Sequence, residues 1–390
     1  MRVNSTTPKR LRIAVLNQVF AATAGGAERY SMALVEQLAQ RHEIHVFAQR
    51  IEHQWPDVIY HRVAVSLTRP RWLNQLWFAG ATWWATRSGF DLVHSHENTW
   101  HGQVQTVHVL PLKYALFHGR TGWSLLLRCV KVATSLRLLV YLWLEHARFA
   151  NPDRRCIVVT SSSLMTKMAK AYPATTGSLR LLTPGVTTPS ASPTAAQQLA
   201  ARARLGLPKD GFGVLFVAHD YRKKGLDTLI TALRQLPEHC WLVVVGNTLQ
   251  IRAFQALAKS SGVDRRVFFL GVLKEVNDAY FAADCLAHPT LEDTFAMVVL
   301  EAMAHGLPVL VSSERHCGIA GLLSHEVNAL ILENPRDSKE LANALHRVLE
   351  EPALYQRLRA EALVFANLHQ WPLIAMQQEA IYFSLLKAPV

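Results

Sequence analysis

The chain alternates short runs rich in Val, Ile and Leu with longer segments of helical periodicity. The runs of the first half are LRIAVLNQ, EIHVFAQ, DLVHSH, VQTVHVL and CIVVTSS; those of the second half are GVLFVAHD, WLVVVGN, VFFLG, DCLAHP, PVLVSS and NALILE. Strands that are nearly continuous in such residues are buried on both faces, as in parallel sheets covered by helices. Over 390 residues, the pattern predicts the α/β class with two doubly wound, Rossmann-like domains.

A segment rich in Pro, Thr and Ser, LLTPGVTTPSASPTAAQQ, separates the two sets of runs. This composition is typical of a linker. We therefore predict an N-terminal domain over residues 1–183 and a C-terminal domain over residues 184–371. Residues 372–390 begin with a Pro that a first helical turn tolerates, and they are predicted to form a helix whose candidate packing partner is the N-terminal domain.

Basic charge is concentrated in the first half of the chain. Residues 1–180 contain 22 Lys and Arg against 9 Asp and Glu, whereas the net charge of the whole chain is +12. Eight of the ten tryptophans, from Trp55 to Trp143, lie in the same half. Basic residues mixed with Trp suit either nucleic acid or an anionic membrane surface. Since no nucleic-acid-binding motif accompanies them, we predict a membrane surface as partner and no nucleic acid.

The segment from Leu112 to Arg155 carries much of this basic and aromatic character. It contains Lys113, Arg120, Arg128, Lys131, Arg137, Arg148, Arg154 and Arg155 together with Trp123 and Trp143. Its charges interrupt the roughly 20 apolar residues that a transmembrane helix needs. We expect it to lie on anionic headgroups rather than to cross the bilayer.

Glycines and cations follow two of the predicted strands. Gly25 and Gly26 come after the first strand, where helix amides can face an anion, although a plain turn fits equally well. Arg222, Lys223 and Lys224 come after GVLFVAHD. Three cations before a helix suit a diphosphate, and a solvated basic turn is the alternative.

The stretch HPTLEDTFAMVVLEAMAHGLPVLVSS places one carboxylate, Glu301, inside an apolar helical run. We predict a helix from Phe295 to His305, capped by Asp293 or Thr294. On a continuous helix, Asp293 and Glu301 would lie about 12 Å apart. Because an unpaired buried carboxylate is costly, Glu301 requires either a bound ligand or a buried cation from a neighbouring element.

These residues resemble the signature of glycosyltransferase family 4: a Glu, seven residues, and a second Glu followed by Ala-Met-Ala-x-Gly-x-Pro-Val. Here the signature is Asp293-Thr294-Phe295-Ala296-Met297-Val298-Val299-Leu300-Glu301, then AMAHGLPV. Gly25-Gly26, Lys224-Gly225, VVVGN and VFFLG occur in the family's order. The resemblance implies the GT-B fold, a pair of Rossmann-like domains with a cleft between them, and a retaining transferase. The run CGIAGLL is similar to the branch of lipopolysaccharide-core glucosyltransferases.

The resemblance also implies roles for individual residues. Glu301 would accept hydrogen bonds from the ribose of a sugar nucleotide, and Asp293 would contact the donor sugar. The sugar and distal phosphate would meet the backbone of Thr294, Phe295, Ala296, Met297 and Val298. Lys224, with Arg222 or Lys223, would neutralise the diphosphate, which Gly25 and Gly26 would approach from the other domain. Two residues depart from the family signature: Asp293 replaces the usual Glu, and Ala296 replaces the usual Gly. Both departures concern which donor sugar is bound.

Several histidines end the strands of the N-terminal half. His108 matches the family's strand-end histidine beside the reacting sugar. The alternative is a loop histidine that is hydrogen-bonded to the protein and has no part in the reaction. Glu97 and Asn98 are candidate contacts to the acceptor. His94 and His96 alternate on one strand face, but no third ligand with suitable spacing follows. The family does not generally need a divalent metal, so we predict no metal and no cofactor besides the nucleotide sugar.

The resemblance implies transfer of a hexose from a UDP-sugar of the UDP-glucose type. The expected acceptor is a lipid-linked or lipopolysaccharide-core glycan at the inner face of the cytoplasmic membrane. Five scattered cysteines without a CxxC motif fit a reducing cytosol. The alternatives are a GDP-mannose-dependent mannosyltransferase, a UDP-sugar epimerase of GT-B fold and a membrane-bound binding module without activity.

Overall fold

The structure is a computed structural model that describes residues 9–21, 25–66, 69–189, 193–273 and 275–387. The chain forms two compact units. The first ends at Gly185 and is completed by the segment that starts at Trp371; the second comprises Val186–Gln370. The predicted boundary at residue 183 therefore precedes the observed one by two residues, and residues 190–192 of the linker lie outside the described residues.

The first unit is built on a seven-stranded parallel sheet. Its elements are β1 (Arg12–Leu16), β2 (Val19–Phe20), α1 (Gly26–Ala39), β3 (Glu43–Ala48), β4 (Arg50–Ile51), β5 (Val58–Arg62), α2 (Arg71–Thr86), β6 (Leu92–Ser95), β7 (Val104–Val107), α3 (Leu112–Phe117), α4 (Gly122–Ala133), α5 (Leu136–Phe149), β8 (Cys156–Val159), α6 (Ser162–Ala171) and β9 (Leu179–Leu181). The strand order is β5-β3-β1-β6-β7-β8-β9, and β2 pairs separately with β4. The direction of winding reverses between β1 and β6.

The second unit has a six-stranded parallel sheet. Its elements are α7 (Ala195–Arg204), β10 (Phe212–Ala218), α8 (Leu226–Leu233), β11 (Cys240–Gly246), α9 (Ile251–Ser260), β12 (Val267–Gly271), α10 (Asn277–Ala282), β13 (Cys285–His288), α11 (Met297–Ala304), β14 (Val309–Ser312), β15 (Leu330–Leu332), α12 (Ser338–Glu350) and α13 (Pro352–Asn367). The strand order is β12-β11-β10-β13-β14-β15. Here the winding reverses between β10 and β13, so both predicted doubly wound sheets are confirmed.

The cores explain why these strands lack polar residues. Two clusters of buried side chains fill the second unit, one containing Leu215 and Val243 and the other Phe216 and Val244. Successive residues of one strand point to opposite faces of the sheet, so the two clusters cover its two faces. Each sheet is thereby fixed in register, because a slip of one residue would exchange its two faces.

The final helix, α14 (Trp371–Lys387), belongs to the first unit. It packs against α1. Its Tyr382 hydroxyl lies 2.6 Å from Nδ1 of His94 in β6, and the rings of Trp371 and Tyr30 meet edge to face at 5.4 Å. The end of the chain is therefore tied to the strand that carries the predicted histidines.

The basic, aromatic segment predicted over residues 112–155 is divided among three helices. Thr134 ends α4, and the Ser135 hydroxyl accepts from the amide of Leu138 to cap α5. The chain therefore forms two separate helices here, α4 and α5, and not one continuous helix. In the described part of the chain, no helix has both the length and the apolar composition that a bilayer crossing requires.

Candidate active site

The switch point of the second sheet brings together two predicted loops. Strands β10 and β13 are parallel neighbours, so the segments that follow them leave the same edge of the sheet. Lys224 follows β10 and Asp293 follows β13. Ligands of doubly wound folds bind beyond the carboxyl ends of the strands at this kind of position.

Gly225 allows the two loops to touch. Its φ of +78° lies in the left-handed region, and a Cβ at this position would stand 2.0 Å from the carbonyl oxygen of Pro289. Any other residue would push the loops apart. The close approach is held by the amide of Leu291, which donates to the carbonyl of Lys223 at 3.0 Å.

Asp293 is the centre of the polar contacts. Its Oδ2 accepts from Nζ of Lys224 at 2.5 Å and lies 3.3 Å from Nε2 of His288. Its Oδ1 accepts from the amides of Phe295 and Ala296 at 3.3 and 3.0 Å. Burial acts to raise the pKa of Asp293, but the hydrogen bond of His288 and the charge of Lys224 outweigh it and hold that pKa well below its usual range. Asp293 is therefore a carboxylate that accepts four hydrogen bonds.

His288 acts as a neutral donor in this arrangement. It is buried, and burial lowers its pKa even though Asp293 acts in the opposite direction. Since its Nε2 faces a carboxylate, that nitrogen carries the proton. The positive charge beside Asp293 is therefore that of Lys224, whose Nζ also donates to the carbonyl of Glu292 at 2.9 Å.

The prediction of one continuous helix from Phe295 to His305 was wrong. Helix α11 begins at Met297, and Ala296 precedes it with a φ of +76°. Asp293 lies in extended chain, because its amide donates to His316 and its carbonyl accepts from Gly318. The separation of about 12 Å expected along a continuous helix therefore does not apply, and Asp293 accepts from a turn before α11 instead of capping the helix.

The left-handed backbone of Ala296 gives a physical reason for the usual glycine at this position. A glycine adopts positive φ without strain, whereas alanine brings its Cβ close to the carbonyl oxygen. The substitution therefore bears first on backbone strain before α11. Ala296 and Phe295 are buried in the core, and Met297 and Val298 are half-buried.

Glu301 lies in the second turn of α11 and is partly buried. Its Oε2 accepts from the hydroxyl of Tyr280 at 2.7 Å. The Tyr280 ring stacks on His305 at 4.7 Å, which fixes the direction of the hydroxyl. A phenol from α10 is therefore one observed partner of this carboxylate.

The other predicted cations are more exposed than Lys224. Arg222 and Lys223 both lie at the surface, and Nζ of Lys223 pairs with Oε1 of Glu292 at 2.9 Å. Thr294 is half-buried between Asp293 and α11. The first amides of α11 have no acceptor within the helix, as in every α-helix, so this end is suited to oxygen atoms of a ligand.

In the first unit, the predicted glycines and histidines follow strands at the other switch point. Gly25 immediately precedes α1 and Gly26 is its first residue, whereas residues 22–24 of this loop lie outside the described residues. His96 follows β6 and His108 follows β7. Nδ1 of His96 and Nε2 of His108 are 2.9 Å apart, and the two rings stack at 5.2 Å.

Both ring nitrogens of His94 are occupied by protein groups. Nδ1 meets Tyr382 and Nε2 lies 2.7 Å from the Thr106 hydroxyl, so this histidine has no lone pair to offer a metal. Burial lowers the pKa of both His94 and His108 to about 3. His108 is therefore neutral at pH 7 and acts through hydrogen bonds. Among the described residues, no three His, Cys, Asp or Glu side chains are grouped as metal ligands.

Two family profiles match successive parts of the chain. The profile described as Glycosyltransferase Family 4 matches residues 24–189, and that described as Glycosyl transferases group 1 matches residues 197–363. Together they cover both units. The chain belongs to the family 4 glycosyltransferases.

Curated relatives of this glycosyltransferase match it over part of their length. A D-inositol 3-phosphate glycosyltransferase of Xylanimonas cellulosilytica is 29% identical over 241 residues, which cover 59% of this chain and 57% of the relative. The lipopolysaccharide glucosyltransferase WaaG of Escherichia coli K12 is 31% identical over 169 residues, which cover 43% of this chain and 45% of WaaG. The chain thus spans about half the length of these relatives.

Solved glycosyltransferase structures share the fold over nearly the whole chain. A crystal structure of WaaG, a glycosyltransferase involved in lipopolysaccharide biosynthesis, has a TM-score of 0.80 at 22% identity and covers 95% of this chain and 99% of its own. Anabaena Alr3699/HepE in complex with UDP-glucose has a TM-score of 0.75 at 19% identity, covering 96% of this chain and 100% of its own. The GT-B fold predicted from the sequence is confirmed.

Two side chains of this glycosyltransferase were not identified from its sequence. His288 ends β13 and Tyr280 lies in α10, and they contact Asp293 and Glu301 respectively. The position of His288 at a strand end, five residues before Asp293, was a usable signal. The sequence contained no comparable signal for Tyr280, because its contact with Glu301 depends on how α10 packs beside α11.

Proposed function

We propose that this glycosyltransferase moves a hexose from a UDP-sugar, of the UDP-glucose type, to a lipid-linked or lipopolysaccharide-core glycan with retention of configuration. The contact of Lys224 and His288 with Asp293 at the β10–β13 switch point carries the proposal. It places one cation and one carboxylate where the loops of two parallel strands meet. A sugar nucleotide requires both groups: the cation binds its diphosphate, and the carboxylate accepts hydrogen bonds from its sugar hydroxyls.

Each group of the second unit has a part in the proposed donor complex. Glu301, oriented by Tyr280, accepts from the ribose hydroxyls. Asp293 accepts from hydroxyls of the donor sugar, close to the backbone of residues 294–298. Lys224, with Arg222 or Lys223, stabilises the negative charge of the diphosphate, which is the main electrostatic requirement as that group departs. These side chains supply the positive charge, so we propose that no metal cofactor is needed.

The proposed chemical step needs no protein nucleophile. The bond from the anomeric carbon to the diphosphate oxygen breaks as the acceptor oxygen forms its bond on the same face. The proton of the acceptor hydroxyl passes to the departing phosphate. His108, neutral because of its burial, would orient the sugar through a hydrogen bond. Two further contacts remain predictions. Gly25 and Gly26 would contact the diphosphate, and Glu97 and Asn98 would contact the acceptor.

The donor is proposed from two named proteins. HepE binds UDP-glucose in its crystal structure, and WaaG is named a glucosyltransferase. Both support UDP-glucose here. The mannosyltransferase alternative differs in the base of the nucleotide, so binding of UDP and GDP separates the two readings.

A lipid-linked acceptor is supported by the surface of α4. Trp123, Leu126, Leu127 and Val130 are exposed at helical spacing, and Arg128 and Lys131 lie among them. An apolar stripe beside cations suits the interface of an anionic membrane. The five cysteines are all free thiols, which supports the proposed location at the cytoplasmic face of the membrane.

Nucleotide binding tests the donor site directly. Thermal unfolding is followed with UDP, UDP-glucose, GDP and ADP for the wild type, for Glu301→Gln, and for Glu350→Gln as an exposed control on α12. A ligand at a hundredfold excess over its dissociation constant stabilises the folded state by about 2.7 kcal/mol. We expect UDP and UDP-glucose to stabilise the wild type and the control, and Glu301→Gln to lose most of that effect.

The remaining outcomes are equally informative. Stabilisation by GDP alone would replace the proposal with the mannosyltransferase alternative, and no response to any nucleotide would refute a donor site. Incubation with UDP-glucose and membrane lipids, followed by NMR of the product, tests the transfer and its stereochemistry. Conversion of the sugar without a transfer product would indicate an epimerase.

A further inference from the structure

A second concave site lies on the first unit. Its volume is about 410 Å³. Its lining includes Trp83, Arg87, Trp100, His101, Arg154 and Arg155. His101 precedes the first residue of β7, and Arg155 precedes the first residue of β8, whereas His108 follows the opposite end of β7. The cavity is therefore at the amino edge of the parallel sheet, and the histidine pair is at the carboxyl edge.

The cavity is strongly basic. Arg87, Arg154 and Arg155 line it, and none of its described lining residues is acidic. Within the described ranges, none of the three forms an ion pair with a carboxylate. Arg155 is fixed in the wall, since its Nη1 donates to the carbonyls of Ala147 and Arg148. Arg87 and Arg154 are exposed. The Arg87 guanidinium lies over the Trp84 ring at 5.5 Å and would have to leave this contact to reach a ligand.

His101 adds an unsatisfied polar group to this wall. Both of its ring nitrogens are buried and have no hydrogen-bond partner in the described protein. Leaving such atoms unpaired is costly, and because both nitrogens are closed off from water, the ring must turn to bring one of them to the cavity surface that His101 lines. A ligand oxygen would then satisfy the ring. Burial and the charge of Arg155 lower the pKa of His101 to about 4, so the ring meets that oxygen as a neutral donor.

Two tryptophans, Trp83 and Trp100, also line the cavity. Trp83 of α2 is 46% exposed, and Trp100 packs against Trp143 of α5 at 5.9 Å. Indole rings provide flat apolar walls with one N–H donor each. Such walls suit the carbon atoms of a glycerol or a sugar more than a bare ion.

We propose that this cavity binds a phosphate-bearing ligand, which is either the headgroup of an anionic lipid or a free phosphorylated sugar. Guanidinium groups bind phosphate through paired charge-assisted hydrogen bonds. The cavity lies at the edge of the sheet away from His96 and His108, so it serves binding and not transfer. The proposal does not depend on the identity of the sugar donor.

Two variants of the full chain test the site. Arg87→Gln/Arg154→Gln removes the two exposed cations of the cavity, and His101→Phe removes the ring nitrogens without changing the charge at pH 7. Arg62→Gln is the control, because Arg62 is an exposed arginine of β5 at the far edge of the same sheet. Replacing the unpaired His101 by an apolar ring of similar size is not expected to destabilise the fold.

The probes distinguish the two sources of phosphate. Calorimetry uses inorganic phosphate and glucose 6-phosphate. Flotation uses vesicles of phosphatidylcholine with and without phosphatidylglycerol, and all proteins in it also carry Trp123→Ser/Leu127→Ser, so that the exposed apolar face of α4 does not hold them to the vesicles. Saturable binding of the soluble probes by the wild type indicates a free phosphorylated ligand; binding only to vesicles with phosphatidylglycerol indicates a headgroup. In either case we expect both variants to bind about tenfold more weakly or worse, a loss typical of a charge-assisted hydrogen bond, and Arg62→Gln to bind normally.

Three results would overturn the proposal. The first is that the wild type binds neither kind of probe. The second is that Arg62→Gln loses as much binding as the double variant, which would indicate general attraction to a basic surface. The third is wild-type affinity in His101→Phe, which would show that the cavity wall makes no contact with the ligand. UDP binding is measured in the same samples, and its retention separates a failure here from a failure of the donor site.

Discussion

Nζ of Lys224 lies 2.5 Å from Oδ2 of Asp293, although the two residues are 69 positions apart in the sequence. The contact neutralises each side chain while no donor is bound. It also sets the position of the lysine, because Gly225 holds the two loops in contact. In the proposed donor complex the diphosphate would share Lys224 with Asp293, so the pair would link the recognition of the sugar to that of the leaving group.

Replacement of Lys224 by Gln is expected to affect the rate far more than the fold. Loss of one positioned group that stabilises the departing charge typically costs about 10²–10³ in kcat. Asp293 also loses its cation, which should lower the free energy of unfolding by about 1–3 kcal/mol. Initial rates of sugar transfer and urea unfolding measure the two effects.

Lys209→Gln is the matched control for this variant. Lys209 is exposed and lies before β10, at the opposite end of that strand from Lys224. We expect its rate to stay within about threefold of the wild type, because substitutions of exposed residues away from a site have small effects. Equal losses in both variants would mean that Lys224 acts only as one of many basic groups on the surface.

Stability is expected to fall between pH 6.5 and pH 4. The pKa of His94 and of His108 is about 3 in the folded state, against about 6.5 in an unfolded chain. Between these values the unfolded chain binds protons that the folded chain does not. The stabilisation is therefore complete above pH 6.5 and is lost as the pH falls towards 3.

Each of these histidines adds at most about 1.4 kcal/mol per pH unit to that slope. Asp293 does not contribute in this window, since its depressed pKa matters only below the unfolded value of about 3.9. Denaturant unfolding at pH 7, 6 and 5 gives the slope. His108→Gln should make it shallower, whereas the exposed His53→Gln should not. An unchanged slope in His108→Gln would show that His108 titrates normally.

Most strands were predictable because burial on both faces leaves a continuous apolar signal. All eleven runs singled out in the sequence are strands of the two sheets. The two-residue strands β2 and β4 were missed, as were β5 and β9, which are both edge strands of the seven-stranded sheet. Their sequences, VIYHR and LRL, carry exposed and polar residues because only one side of an edge strand is paired. Their place in the sheet is decided by the chain around them.

The sequence predicted which residues form the candidate site better than it predicted how the backbone arranges them. Glu301, Asp293 and Lys224 were identified from their motifs, whereas the course of the chain before α11 was not. Asp293 pairs with Cys317 in an isolated bridge, and this long-range contact draws residues 293–296 out of the helix. Local periodicity contains no trace of such a contact. The positive φ of Ala296 follows from it, and only a glycine there would have indicated the turn.

Glycine at position 296 should be tolerated better than glycine elsewhere in this segment. Relief of the left-handed alanine is worth about 1–2 kcal/mol, and loss of the buried methyl group costs about 0.8 kcal/mol. Ala296→Gly should therefore leave the unfolding free energy unchanged or raise it by up to about 1 kcal/mol. Ala302→Gly makes the same chemical change inside α11 and should cost about 1–2 kcal/mol. Equal losses in both variants would contradict the strained turn.

The exposed face of α4 should anchor the protein to anionic membranes. Trp123 and Leu127 are 79% and 68% exposed, and they lie one helical turn apart. Trp123→Ser/Leu127→Ser removes two side chains whose burial is worth about 1.5–3 kcal/mol each. Because both positions are exposed, the unfolding free energy should change by no more than about 0.5 kcal/mol per site. Flotation with vesicles that contain phosphatidylglycerol should show an association at least about tenfold weaker. This is a lower bound, because the burial free energy of two apolar side chains is lost.

Leu249→Ser is the control for this double variant. Leu249 is 88% exposed but belongs to the second unit and not to the exposed face of α4, so its loss should leave flotation unchanged. Transfer to a soluble acceptor analogue should be normal in all three proteins, since α4 carries none of the proposed donor contacts. If the double variant floats like the wild type, cations alone hold the protein to the membrane. Its binding should then disappear at high salt, because exposed charges are screened over about 3 Å at 1 M ionic strength.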